Sequence, residues 1–274
     1  KELVNMILWL ASFPKSGNTW LRLLISNYFY PDEEVFHNLN LIKEFPKKSF
    51  FEEFKNEIDL NQKKINLYKY FIKSQERLNL NNELNFLKTH SCCGTIGDNK
   101  FTDEKNTLAF IYIIRDPRSV AISYAYHSNQ SFDDSVEAIT NDNSVAIDED
   151  KLITYRSSWK MNYYSWTKSP YPRLILKYED LKKNEFENFK KILKFISQYK
   201  EIEINDDKIK KTIEKCNFQK LKIEEKKNGF IERWGNENFF RKGQIDEWKQ
   251  DLSNDLIKKI ENNFKELMNN FGYL

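Results

Sequence analysis

Apolar residues in this chain gather in short unbroken runs separated by long polar stretches. Met6 to Phe13 (MILWLASF) is the first run, stopped by Pro14 and a polar loop, and its continuity predicts a buried strand. After Gly17 the spacing changes, and Trp20, Leu21, Leu24 and Tyr28 share one face of a helix closed by Pro31. Residues 31–82 are polar, rich in Lys, Asn and Phe, with only weak helical periodicity, and the brief run from Leu84 to Leu87 predicts a strand end. Thr107 to Ile114 (TLAFIYII) is apolar on both faces, as in a strand inside a parallel sheet. Asp116 is a good N-cap and Pro117 a good first helical residue, which predicts a helix to about Tyr126. Residues 128–151 are acidic and polar, suiting a loop with a short helix. Arg173 to Tyr178 (RLILKY) predicts another strand, and Phe186, Phe189, Leu193 and Ile196 then mark a helix face. The strand–loop–helix unit recurs at least three times, so the expected fold is α/β, a mostly parallel central sheet flanked by helices. No repeat or linker divides it, and a single domain over residues 1–274 is expected.

Composition narrows the function. At 40% hydrophobic and 31% charged, the chain can bury a large core under a charged surface. Its net charge of +3 is too mild for a nucleic-acid partner, yet leaves room for local clusters that hold a small anion. The histidines at 37, 90 and 127 and the cysteines at 92, 93 and 216 form no metal-ligand spacing, so no metal site is expected. Three cysteines also make no disulfide framework, which suits a reducing, cytoplasmic compartment. The apolar run from Leu3 to Phe13 falls short of the ~20 residues of a membrane span and lacks a cleavage pattern, so it reads as a strand rather than a signal peptide. A chain that opens on Lys1 leaves a removed presequence open. Only 7 glycines occur, so each tends to sit where the backbone needs it. Gly17, Gly94 and Gly243 lie in or near candidate sites, and Gly229 and Gly235 flank a segment suited to closing over a ligand.

Four segments could carry chemistry. Phe13-Pro14-Lys15-Ser16-Gly17-Asn18-Thr19-Trp20 joins a strand to a helix, where unpaired N–H groups and the helix dipole favour an anion. Gly17 permits close backbone approach, Lys15 adds a cation, and Ser16, Asn18 and Thr19 offer donors. Lys15 precedes Gly17, so the G-x-x-x-x-G-K-[ST] spacing of an ordinary ATPase is absent. Lys88-Thr89-His90 follows a strand end, which makes His90 the best placed of the three histidines to take a proton at neutral pH. Arg115 and Ser123 span a strand-to-helix turn and could bind a phosphate through a guanidinium fork and a hydroxyl, the alternative being Arg115 paired with its neighbour Asp116. Phe239-Phe240-Arg241-Lys242-Gly243 suits a loop over an anionic ligand, or else a solvated basic turn.

In order, these segments resemble the cytosolic sulfotransferase family and its bacterial relatives. The family's 5′-phosphosulfate loop, close to Tyr-Pro-Lys-Ser-Gly-Thr-Thr-Trp, is matched by Phe13 to Trp20. Its Lys-Thr-His base segment is matched by Lys88 to His90, and its 3′-phosphate Arg and Ser by Arg115 and Ser123. Tyr178-Glu179-Asp180 matches a Tyr-Glu-Asp strand end whose Tyr touches adenine. Arg241-Lys242-Gly243, with Glu247-Trp248-Lys249 after it, matches the late Arg-Lys-Gly element. The resemblance implies a P-loop-like core that binds 3′-phosphoadenosine 5′-phosphosulfate (PAPS) and transfers its sulfuryl group, without a metal, to a hydroxyl or amine of a small-molecule acceptor. His90 would be the base, with Lys15 and Lys88 on the charges that develop. Arg115, Ser123, Arg241 and Lys242 would hold the 3′-phosphate, with Gly243 in the same donor-binding segment, and Trp20, Tyr178 and Phe218 would border the adenine. Asn18 replaces a family Thr, and Cys216-Asn217-Phe218 replaces a Thr-x-Phe segment. The family's short dimer motif is not reproduced after Lys249, so that dimer is not expected. Regions 31–87 and 125–165, which would face the acceptor, match nothing. Other readings of the anion site are a P-loop small-molecule kinase and a non-catalytic nucleotide binder.

Overall fold

The computed structural model of the chain describes residues 6–31, 34–59, 62–81, 83–234 and 237–274. Gly235 and the first residues of the Leu3–Phe13 run lie outside them. The strands are β1 (Ile7–Ala11), β2 (Lys43–Glu44), β3 (Asn85–Thr89), β4 (Thr95–Ile96), β5 (Asn99–Lys100), β6 (Thr107–Ile114), β7 (Val145–Ile147), β8 (Ile153–Tyr155) and β9 (Arg173–Lys177). The α-helices are α1 (Asn18–Phe29), α2 (Phe71–Leu78), α3 (Pro117–Ser128), α4 (Phe132–Thr140), α5 (Trp159–Thr167), α6 (Tyr178–Lys183), α7 (Glu185–Ile196), α8 (Asp206–Lys215), α9 (Phe218–Asn228), α10 (Trp248–Asp251) and α11 (Asn254–Asn270).

The central sheet runs β2-β3-β1-β6-β9 with every pairing parallel. Parallel strands all point their carboxyl ends to one edge, so the turns after Ala11, Thr89, Ile114 and Lys177 emerge side by side. β1 and β6 lie inside the sheet with helices on both faces, which explains why their sequences are apolar throughout. Alternate residues feed two cores. Trp9 and Phe110 point to one, Leu8, Leu10 and Ile111 to the other.

The long strand, the α1 start and the Asp116-Pro117 boundary follow the sequence. Four features differ from it or add to it. Tyr178 is the first residue of α6 rather than the last of a strand. The polar stretch 31–82 supplies Phe45, Phe51, Tyr68 and Phe71, all buried; Phe45 packs on Trp9 and Phe101, Phe71 on Phe101, and Phe51 and Tyr68 pack on Phe71. Each such pair adds about 0.5–1.5 kcal/mol beyond area burial, so this region is core-forming although its sequence reads as surface. Residues 128–151 form the end of α3, the helix α4 and one arm of the β7–β8 ladder. The helix α11, which no sequence expectation placed, buries Ile260, Phe264, Leu267 and Met268.

Candidate active site

One cleft of about 850 Å³ opens at the carboxyl edge of the sheet. Lys15, Gly17, Asn18, Thr19, Trp20, Lys88, His90, Arg115, Ser123, Tyr178, Phe218, Arg241, Lys242 and Gly243 all line it. Residues scattered over the chain therefore converge because four strand ends and one late loop meet there. Ser16 is the exception, fully buried beneath the loop with its hydroxyl lacking a partner. Gly94 stands apart from the cleft, accepting a hydrogen bond from the Phe101 N–H beside the β4–β5 ladder.

The loop before α1 owes its shape to two left-handed residues, Lys15 (φ +64°) and Gly17 (φ +104°). Such alternation turns successive N–H groups toward one point and makes a concavity for an anion. A Cβ at Gly17 would lie 2.6 Å from the Tyr178 ring, so the position has no room for a side chain. Asn18 acts inward: its Nδ2 donates to the Leu10 carbonyl (2.9 Å) and to the Ser12 hydroxyl (3.2 Å), tying the loop to β1.

His90 directly follows β3. Its Nδ1 lies 2.8 Å from the Ser12 carbonyl oxygen, which only accepts, so Nδ1 carries the proton and Nε2 the lone pair. Burial, reinforced by Lys88 and opposed by Glu44 and the Ser12 bond, holds its pKa at about 3, so the ring is neutral at pH 7. Burial also lowers Lys15 to about 7; Glu232 opposes this, and Lys88 and Arg115 add to it. The Lys15 ammonium lies 3.8 Å from the centroid of the Phe239 ring.

Glu232 is outside every motif, yet it organises the cations. Thr19 Oγ1 donates to its Oε2 (2.6 Å), Arg22 pairs with it, and Lys88 Nζ stands 3.2 Å from its Oε1. Burial pushes this carboxyl up, but Lys88 and Arg22, with the bonds from Thr19 and Arg22, hold it well below the usual carboxylate range. Lys88 also contacts Glu44 at 3.2 Å; burial opposes ionisation there too, but Lys88 and His90 bring Glu44 down to about 2. The only sequence signal for Glu232 is an acid inside Phe230-Ile231-Glu232-Arg233-Trp234, and its partners lie far away along the chain.

Arg115 is not paired with Asp116. That carboxylate caps α3 by accepting from the Arg118 N–H and binds the Arg118 guanidinium at 2.7 Å. Arg115 instead donates to the carbonyls of Lys15 and Gln244 (3.2 Å each), stacks 4.5 Å from the Tyr178 ring centroid and keeps a buried Nε without an acceptor. An orphaned guanidinium nitrogen beside a phosphate-shaped loop is the mark expected of an anion site. Arg241 pairs with Glu247 and stacks 3.9 Å from the centroid of Tyr126, while Lys242 reaches Glu247 at 2.9 Å. Gly243 (φ +62°) lies against the Phe218 ring, where a Cβ would come within 2.6 Å. Trp20 meets Tyr178 edge-on with centroids 5.9 Å apart. The cleft thus offers an aromatic border and two cationic centres, as a nucleotide with two separate anionic groups requires. Among the described residues, no group of three or more His, Cys, Asp or Glu side chains could hold a metal ion, and no helix is long and apolar enough to cross a membrane.

Residues 7–272 match the family model described as a sulfotransferase domain. Cytosolic sulfotransferase 15 of Arabidopsis thaliana is 26% identical over 257 residues, covering 92% of this chain and 68% of that protein. Flavonol 3-sulfotransferase of Flaveria bidentis is 27% identical over 263 residues, covering 92% and 78%. Among solved structures, a mouse sulfotransferase complexed with PAP matches with a TM-score of 0.58 at 21% identity, over 97% of this chain and 88% of its own. Retinol dehydratase in a complex with retinol and PAP matches with a TM-score of 0.61 at 19% identity, over 97% and 84%.

Proposed function

This chain belongs to the sulfotransferase family and is a sulfotransferase, and on that premise we propose that it uses PAPS as donor and His90 as the base toward a small-molecule hydroxyl or amine. The donor supplies an activated sulfuryl group. The two anionic ends of such a donor suit the two cationic centres, with Lys15, Thr19 and the loop amides at the 5′ end. Arg115, Ser123, Arg241 and Lys242 stand at the 3′ end, and the orphaned Arg115 Nε supports this. The names of the relatives and the free cysteines suit a cytosolic setting.

The observation that carries the base assignment is the 2.8 Å contact between His90 Nδ1 and the Ser12 carbonyl, which commits the other nitrogen to accepting a proton. In the transfer, the acceptor oxygen or nitrogen forms a bond to sulfur, its proton passes to His90 Nε2, and the bond from sulfur to the 5′-phosphate oxygen breaks. Lys15 and Lys88 face the charge that develops on the departing and peripheral oxygens, a role for preorganised cations rather than covalent chemistry. A base near pKa 3 is weak, and the negative charge of a bound donor raises it toward neutrality, so catalytic strength arrives with the donor. Calorimetry with adenosine 3′,5′-bisphosphate (PAP) and with ATP tests the donor: PAP is expected to bind by far the tighter, and equal or reversed affinity refutes it. Wild-type turnover in His90→Ala at saturating acceptor refutes the base.

A further inference from the structure

One cation of the cleft has no part in the donor cradle. Arg156 directly follows β8, lines the cleft, and lowers the proton affinity of both His90 and His127. Its Nη1 donates to the Tyr124 hydroxyl at 2.9 Å, and its Nε is buried without an acceptor among the described residues. No ion pair holds it among the described residues. Of the three acids at 148–150 on the cleft wall, Asp148 faces Lys47 (3.7 Å), Asp150 faces Lys48 (4.0 Å), and Glu149 makes no ion pair with Arg156.

The backbone that presents this guanidinium is fixed on both sides. The Arg156 N–H donates to the Ser144 carbonyl (3.1 Å), and its own carbonyl accepts from Asn162 Nδ2 (2.8 Å) and Cys92 Sγ (3.0 Å). Ser157 beside it is left-handed (φ +58°), a conformation that costs a side-chain-bearing residue of order 1–3 kcal/mol and persists where the surroundings impose it. Asn162 is fully buried, and its Nδ2 also donates to the His90 carbonyl (3.0 Å), while its Oδ1 accepts from Tyr112 (2.8 Å). A single side-chain amide thus sets the spacing between the backbone of the base and that of the arginine.

We propose that Arg156 selects an acceptor bearing a carboxylate in addition to the hydroxyl or amine that is sulfated. The guanidinium fork matches a planar carboxylate through two parallel N–H bonds, and its Nε and Nη2, which donate to nothing among the described residues, supply that edge. The anchored carboxylate leaves the reacting group to His90, whose backbone Asn162 ties to that of Arg156. This specificity rests on the reading of the cleft as the site of sulfuryl transfer.

The probes are 4-hydroxybenzoate and its neutral amide, 4-hydroxybenzamide, titrated calorimetrically into enzyme saturated with PAP. The benzoate is expected to bind at least about tenfold tighter than the amide, and Arg156→Gln to erase that preference while PAP affinity stays unchanged. Equal affinities in the wild type, no binding of benzoate, or a preference that survives in Arg156→Gln overturns the proposal. The wild-type comparison needs no variant to fold. A failure of PAP to bind strikes the donor reading instead, and is seen before either probe is added; the two probes are then compared on the enzyme alone.

Discussion

On the donor assignment proposed above, Lys15 is the group through which pH reaches donor binding. Burial, with Lys88 and Arg115 adding to it and Glu232 opposing, brings its pKa from the ordinary 10.5 to about 7. At pH 8, about nine-tenths of Lys15 side chains are therefore neutral. A bound donor sets phosphate and sulfate charge beside the ammonium and raises its pKa again, so binding takes up about 0.9 proton at that pH. The bound state then holds more protons than the free one, and affinity must fall as pH rises. The limit is tenfold, about 1.4 kcal/mol, per pH unit between 8 and 9, and the Lys15 contribution fades below about pH 6, where Lys15 is already charged. The 3′-phosphate of the ligand titrates near about pH 6 and does not disturb the upper window. Calorimetric titration of PAP at pH 8 in Tris and in HEPES, buffers of different ionisation enthalpy, reads the proton uptake directly. Lys15→Met is expected to abolish it and to weaken binding. Equal enthalpies in the two buffers, or an affinity flat from pH 7.5 to 9, refutes the linkage.

Glu232→Gln leaves Arg22 and Lys88 without their shared counter-charge. Breaking such a pair costs about 3 kcal/mol, near the lower end because Glu232 keeps 19% of its side chain exposed. Thermal unfolding should show that loss, and PAP should raise the melting temperature of this variant more than that of the wild type, because its anionic groups replace the missing carboxylate. Acid should destabilise the protein between pH 6.5 and 4, since His90 and His127 are both held at about 3 and the unfolded chain binds protons first. At pH 5 each accounts for about 1–2 kcal/mol, read as a lower urea midpoint than at pH 7, and an unchanged midpoint contradicts the burial of both rings. Gly17→Ala drives a methyl against the Tyr178 ring at a left-handed position, so PAP affinity should drop more than about tenfold, while retained affinity would show that the loop can move aside.

The donor side of the cleft was legible in the sequence because its parts are local. Thr107 to Ile114 is bounded by polar turns, Asp116-Pro117 starts a helix by its own chemistry, and Lys15 to Thr19 sit between a strand and a helix face. What stayed hidden depends on long-range pairing. Phe45, Phe51 and Phe71 are spaced among lysines and asparagines, after β2, in a 3-10 turn and at the start of α2, so no single period announces that Phe45 meets Trp9 with Phe51 and Phe71 packed against it. Glu232 reads as one acid among many until Arg22 and Lys88 are brought to it. The α11 spacing of Ile260, Phe264, Leu267 and Met268 is helical and could have been read from the pattern alone.

The common edge of the parallel sheet has a consequence for how such a protein can diversify. Lys15, His90, Arg115 and Tyr178 hang from four adjacent strand ends, so a change that shifts one strand disturbs the proposed donor site and the proposed base together. The wall formed by residues 146–156 belongs to a separate two-stranded ladder, joined to His90 through Asn162. A transplant of that ladder from a relative would exchange one appetite for another while the inherited machinery beneath it stays in register.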